Sequence, residues 1–166
     1  MHLNVGQDTV NGWLLSLGGS KDPLSLDQQG HSFLVADNEI GLMISCPEGS
    51  QQVAVFSQLI PLPIPLSTRL YEELLALNLS LEFTSGTYIF FDKKTRALGL
   101  AVSRDIASLN EINFRHLLTN FKQKAAEIKG FLDSLLYGDH ITQTDTHYPS
   151  IPPAFESGFS HRQEGV

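Results

Sequence analysis

The residues of this chain that could do chemistry are few, and their spacing does not suit it. His140, Asp145 and His147, in the stretch HITQTDTH, are donor types that bind transition metals. They stand in a segment without periodic pattern, so nothing holds three donors in one geometry, and the expectation is no metal site. His31 and His116 are isolated and read as surface or cap residues. Asp92 and Asp105 bracket an apolar hairpin and read as turn and strand-end residues, not as an acid/base pair. Cys46 is the single cysteine and lies in an apolar run, which favours a buried, inert thiol. One cysteine can form neither an intramolecular disulfide nor a cysteine zinc cluster. The sequence has no phosphate-cradling glycine loop, no GxSxG and no HExxH. The glycine pair of LGGSKD follows a helical pattern rather than a strand, and so reads as a helix stop. The expectation is a protein without catalytic residues, metal or cofactor, and not an enzyme.

Composition describes a folded domain and limits its partners, and the acidic balance also reads as solubility alone. The 166 residues suffice for one domain with a sizeable core, and 42% hydrophobic against 17% charged content describes a folded chain. A formal net charge of −7 argues against nucleic acid and against an anionic membrane surface, and would favour a basic partner. The N-terminal stretch lacks a basic region and reads as no signal peptide. No apolar run approaches the ~18 residues of a membrane helix.

The elements follow from periodicity. TVNGWLLSLGG sets Val10, Trp13, Leu14 and Leu17 at helical spacing, with Asp8 or Thr9 as cap and Gly18-Gly19 as stop. HSFLVAD and EIGLMIS read as strands around the turn signal Asp37-Asn38. QVAVFSQLI follows as a third strand after PEGSQ. Phe33 and Val35 share one strand face; Ile40, Leu42 and Ile44 share another. Pro61, Pro63 and Pro65 of PLPIP end the sheet segment, since proline donates no ladder hydrogen bond. STRLYEELLALNLS is a second helix, capped by Ser67 or Thr68, with Leu70, Leu74 and Leu77 as its stripe. The last helix is the strongest: SLNE resembles a capping box from Ser108 to Glu111. Phe114, Leu117, Leu118, Phe121, Ala125, Ile128, Leu132, Leu135 and Leu136 keep the 3.6-residue period up to Gly138. The order α-β-β-β-α-β-β-α predicts an α+β fold, with a five-stranded, mainly antiparallel sheet packed by helices. Residues 1–137 form the expected single domain. Residues 138–166 read as a mobile tail in which Tyr148, Ile151, Phe155 and Phe159 could dock.

The hairpin GTYIFFDKKTRALGLAVSRD predicts its own register. Centred on Lys94-Thr95, it pairs Phe91 with Leu98, Ile89 with Leu100 and Thr87 with Val102 on one bulky face. On the other face Phe90 meets Gly99 and Tyr88 meets Ala101. An apolar second face needs a cover: another copy of the chain, a partner, or a helix of the same chain.

At LYEELLALNL, followed by the glycine-led hairpin, the chain resembles the class I type III secretion chaperones of the Tir-chaperone (CesT-like) group. The residues that carry the resemblance are Leu74-Leu75-Ala76-Leu77-Asn78-Leu79, the hairpin, Ser103-Arg104, and the final helix from Ser108 to Leu136. The likeness spans about residues 5–137. The weak first helix, the proline-rich connector and the long tail depart from it. The resemblance implies a small bacterial cytosolic homodimer without nucleotide or covalent chemistry. It implies that the protein holds the N-terminal segment of one or more secreted effectors in extended form and delivers it to the export apparatus, with the secretion ATPase as a further partner. The alternative is a non-secretory interaction or regulatory module on the same fold.

The resemblance places the dimer contact on the second helix and adjoining strand: here Leu70, Tyr71, Leu74, Tyr88 and Phe90. Effector-binding candidates are Trp13, Leu14 and Leu17 as one apolar patch, and Phe33, Val35, Leu42 and Ile44 as the other. Pockets for alternate side chains and main-chain pairing at a sheet edge would suit an extended segment.

Overall fold

A computed structural model describes residues 4–18, 23–35, 40–62 and 68–137. Asp37-Asn38, Gly19, Pro63, Pro65, Ser67, Gly138, the HITQTDTH stretch and the apolar residues of the tail lie outside the described residues.

The chain runs α1 (Val5–Gly18), β1 (His31–Val35), β2 (Gly41–Ser45), β3 (Gln52–Pro61), α2 (Thr68–Leu77), α3 (Leu81–Thr84), β4 (Tyr88–Asp92), β5 (Ala97–Asp105) and α4 (Glu111–Tyr137), with a 3-10 turn at Ile106–Ser108. The five strands form one antiparallel sheet in the order β1-β2-β3-β5-β4. This is the α+β fold expected from the sequence, with one short helix, α3, added.

α1 begins earlier than its apolar stripe predicts. Thr9 lies inside the helix and its hydroxyl donates to the Val5 carbonyl at 2.7 Å. The capping box is also corrected. Ser108 belongs to the 3-10 turn and donates to the Asp105 carbonyl, while the Asn110 side chain accepts from the Asn113 N–H at 2.8 Å and caps α4. α3 went unseen because it is one turn long. Ser80 caps it and Ser85, at φ 50°, ends it.

The helices share one face of the sheet. Val10, Trp13 and Leu14 of α1, and Phe114, Phe121, Ile128 and Leu132 of α4, pack with Leu42, Ile44, Val53, Val55, Leu98, Leu100 and Val102 in one core. Trp13 and Phe114 meet at 5.1 Å between ring centroids. α2 adds Leu74 and Leu77 and packs on β4. Tyr137, at the end of α4, donates from its hydroxyl to the Pro61 carbonyl at 3.1 Å and ties the last helix to the end of β3.

The hairpin adopts the register read from the sequence, with Tyr88 opposite Ala101, Ile89 opposite Leu100, Phe90 opposite Gly99 and Phe91 opposite Leu98. The ladder stops at Tyr88, however, and Thr87, expected opposite Val102, bonds back to the Thr84 carbonyl instead. The pairing of aromatics with small residues has a steric reason. A Cβ on Gly99 would lie 2.4 Å from the Phe90 ring and 2.7 Å from the Ser57 carbonyl oxygen, so the ring lies flush on the glycine backbone.

Candidate functional site

The face of the sheet that no described element covers carries a continuous apolar row. Phe33 (β1) stands opposite Met43 (β2), Met43 opposite Phe56 (β3), Phe56 opposite Ala101 (β5), and Ala101 opposite Tyr88 (β4). Directly opposed residues share a face, so one row crosses all five strands, about 19 Å at the usual strand spacing. Val35 and Phe90 flank it one row further along, at the two edges of the sheet. Ala101 is fully buried beneath its neighbours, and Phe56 and Phe90 meet edge to face at 6.1 Å. Phe33 at 67%, Val35 at 89% and Tyr88 at 42% exposure stay open to solvent, and no described element covers them. Large apolar side chains contiguous on a surface mark a contact region.

The two edges of the sheet differ. At β4 the outward backbone of Ile89 is already engaged: Asn78 accepts from the Ile89 N–H at 2.7 Å and donates to the Ile89 carbonyl at 3.1 Å. One side-chain amide thus takes the place of a neighbouring strand. This is the work of the asparagine in Leu77-Asn78-Leu79.

At β1 the Cys46 N–H donates to the Gly30 carbonyl at 2.8 Å, which fixes the phase of the ladder. By alternation Ser32 and Leu34 bond to β2, and His31, Phe33 and Val35 turn their N–H and C=O groups to the open edge. His31 is then taken up by Asp27, whose carboxylate accepts its N–H at 2.9 Å and whose own N–H donates to its carbonyl at 2.7 Å. The His31 N–H foremost, with the N–H groups of Gln29 and Gly30, holds the Asp27 carboxyl below the usual carboxylate range. Among the described residues, none bonds the outward backbone of Phe33 and Val35, the exposed aromatic and aliphatic side chains of β1.

The sequence candidates divide by location. Phe33 and Val35 lie on the outer face, but Leu42 and Ile44 are buried on the helix face, at 4% and 0% exposure. Leu42 faces Leu34 rather than Phe33, so these four residues do not form one patch. Met43 and Phe56 take the places beside Phe33. Trp13 and Leu14 are buried in the core and Leu17 is half-buried against it.

Of the α2 candidates, Leu74 is buried, and Leu70 and Tyr71 are half-buried, with Tyr71 edge-on to Phe91 at 6.0 Å. Tyr88 and Phe90 lie on the opposite sheet face. The exposed leucines of the segment from α2 to α3 are Leu75, Leu79 and Leu81, which the stripe of α2 did not single out.

The remaining chemical candidates hold structure. Asp92 accepts from the Lys94 N–H at 2.9 Å and the Thr95 hydroxyl at 2.6 Å; the Thr95 bond is the main reason its carboxyl titrates low. Asp105 caps the 3-10 turn through the Ala107 N–H. Burial pushes the Cys46 thiol up, away from thiolate chemistry. His31 is partly buried beside Asp27, and His116 is exposed on α4. Among the described residues no cluster of three metal-ligating side chains occurs, and no helix is long and apolar enough to cross a membrane.

The sequence pattern of the Tir chaperone protein (CesT) family matches residues 12–129, from the first helix to the last. The chain belongs to this family. No curated protein matches it. Solved structures share its fold. A chain of the ExsC-ExsE complex superposes with a TM-score of 0.62 at 21% identity, covering 75% of this chain and 92% of that one. A chain of the HopA1-SchA chaperone-effector complex gives 0.59 at 19% identity, with 74% and 91% covered. A chain of the heterodimeric ExoU-SpcU complex, from the type III secretion system of Pseudomonas aeruginosa, gives 0.55 at 16% identity, with 77% and 98% covered. At these identities the likeness is one of fold. In this CesT-family fold, the outer apolar row runs to the open β1 edge and the β4 edge is held by Asn78.

Proposed function

We propose that this protein is an effector-binding chaperone of type III secretion. It holds the N-terminal segment of one or more secreted effectors in extended form, in the bacterial cytoplasm, and delivers it to the export apparatus, with the secretion ATPase as the docking partner there. Membership of the CesT family supports this reading, as do fold relatives described as chaperone-effector and type III secretion complexes. The observation that carries it is the apolar row that meets free main-chain groups at Phe33 and Val35. An extended chain would pair with the β1 edge and set alternate side chains over Phe33, Met43 and Phe56. Such binding needs no nucleotide, metal or prior ligand structure.

The protein acts as a homodimer in this reading. A second copy would cover the exposed Leu75, Leu79 and Leu81 with the half-buried Leu70 and Tyr71 on the α2 side, and Tyr88 and Phe90 on the outer side of the β4 edge. Residues 1–137 form the folded domain and residues 138–166 a tail outside it.

Co-purification of the tagged chain from its native host tests the function. A secreted effector bound through its N-terminal segment is the expected result. Recovery of a transcriptional or other non-secreted partner alone would replace this reading with that of a regulatory module on the same fold.

A further inference from the structure

The sheet is uneven at its β4 side. β4 pairs with β5 only from Asp92 back to Tyr88, opposite Ala101, while β5 runs on to Asp105. The chain ahead of β4 turns away through Ser85 at φ 50° and Gly86 at φ 77°. Between that turn, the free end of β5 and the middle of α4 lies a cavity of about 390 Å³. Its volume falls in the range of small-ligand sites. It opens on the helix side of the sheet, away from the outer apolar row.

Val102, Leu117 and Phe121 give it an apolar floor, and Arg104, Asn120, Lys124 and Glu127 a polar wall. Arg104 donates from Nη1 to the Ser103 carbonyl at 2.8 Å, and Gly86 leaves room for its Nη2. No carboxylate of the described residues lies within ion-pair distance of Arg104. Lys124 is only 16% exposed and pairs with Glu127 at 2.7 Å. The wall therefore holds two cations against one anion, in a chain whose overall charge is −7. A sheltered, uncompensated guanidinium favours an anion, and its planar donors match a carboxylate. The excess of one positive charge suits a monoanion. A phosphate dianion would face Glu127 unbalanced and leave the apolar floor uncovered.

We propose that this cavity takes a carboxylate on a short aliphatic stem, the side chain of a glutamate in an extended partner chain. Its methylenes lie on Val102, Leu117 and Phe121, and its carboxylate bridges towards Arg104 and Lys124. The inference rests on the proposed function only in taking the partner to be an extended chain.

The test is an amide chemical-shift titration of the full-length protein, read at Gly86, Ser103 and Asn120. The probes are N-acetylglutamate methylamide, its glutamine counterpart, acetate and inorganic phosphate. The expected result is saturable binding of the glutamate derivative, with glutamine and acetate each weaker by roughly tenfold or more, as a charge-assisted contact or a buried stem demands. Arg104→Gln should weaken the glutamate derivative by roughly tenfold or more. Asn120→Asp, on the exposed side of α4, should weaken it several-fold without touching the core. Equal binding of glutamine, or binding unchanged in both folded variants, would overturn the proposal. Acetate as strong as the glutamate derivative would overturn the side-chain source, and stronger phosphate would overturn the monoanion. The small probes bypass the outer sheet face, so failure of effector binding at Phe33 and Val35 would leave this titration unaffected and would count against the proposed function alone.

Discussion

Phe33 and Leu42 are near neighbours that face opposite ways, and substitutions at the two should separate binding from folding. Phe33→Asp together with Val35→Asp changes exposed side chains, so the free protein should lose no more than about 0.5 kcal/mol per site. Affinity for an effector segment should fall at least tenfold, as it does when interface aromatics are removed. Leu42→Ala and Trp13→Ala act on the core instead and should cost about 2–5 kcal/mol. Thermal melts and peptide affinities of the same variants check both statements. A Trp13→Ala protein that melts like the parent and binds poorly would move Trp13 to the binding surface.

Asp27 gives a pH expectation with a definite sign. Its folded pKa is lowered, chiefly by the bond from the His31 N–H, so its contribution is present above the ordinary carboxylate value and is lost as pH falls through the folded value. Acidification below about pH 4 should therefore lower the protection of the His31 amide relative to its intrinsic exchange rate at the same pH, an effect absent in Asp27→Asn.

At the scale of elements, the hairpin was legible because the charged turn centred on Lys94-Thr95 fixes the register of the apolar runs on either side. Alternation in β1 and β2 left the inward face open. Phe33-Val35 and Leu42-Ile44 are each an apolar pair, and only the register of Phe33 with Met43 reveals that they point apart. The helix faces were legible from their stripes, but the leucines off the stripe of α2 carry no periodic signal. The cap of α4 was misplaced by two residues because a serine and an asparagine compete for the same role, and the intervening 3-10 turn gives it to Asn110.

The role of Asn78 was invisible in sequence, since it depends on a strand eleven residues away. Asn78→Leu should remove both bonds to Ile89 and cost about 1–3 kcal/mol, seen as a lower melting temperature. It should also expose the Ile89 amide to exchange and leave a free strand edge prone to association. Gly99→Ala would drive a methyl group into the Phe90 ring and the Ser57 carbonyl. A loss of about 1–3 kcal/mol is expected there, with the ring displaced from the outer face.

The whole molecule is a sheet with helices on one face and an apolar row on the other, and its two edges are treated differently. Among the described residues, that asymmetry favours the β1 edge as the place for a partner strand to add. Around α2 and β4, light scattering of the unmodified protein at micromolar concentration should return a dimer mass, and a monomer would remove the second copy from the account. Truncation after Gly138 should leave the melting temperature within a few degrees, the shift expected for about 1 kcal/mol or less. A collapse of the cooperative melt would show that the tail packs on the domain.

The central claim is that an effector segment adds to the β1 edge and covers the row that begins at Phe33. Hydrogen exchange of the protein, free and in complex with the N-terminal segment of its co-purified effector, tests it most directly. The account expects the Phe33 and Val35 amides to exchange quickly in the free protein and to become protected in the complex, while Ile89 stays unchanged. Protection that leaves Phe33 and Val35 untouched and appears elsewhere would contradict it.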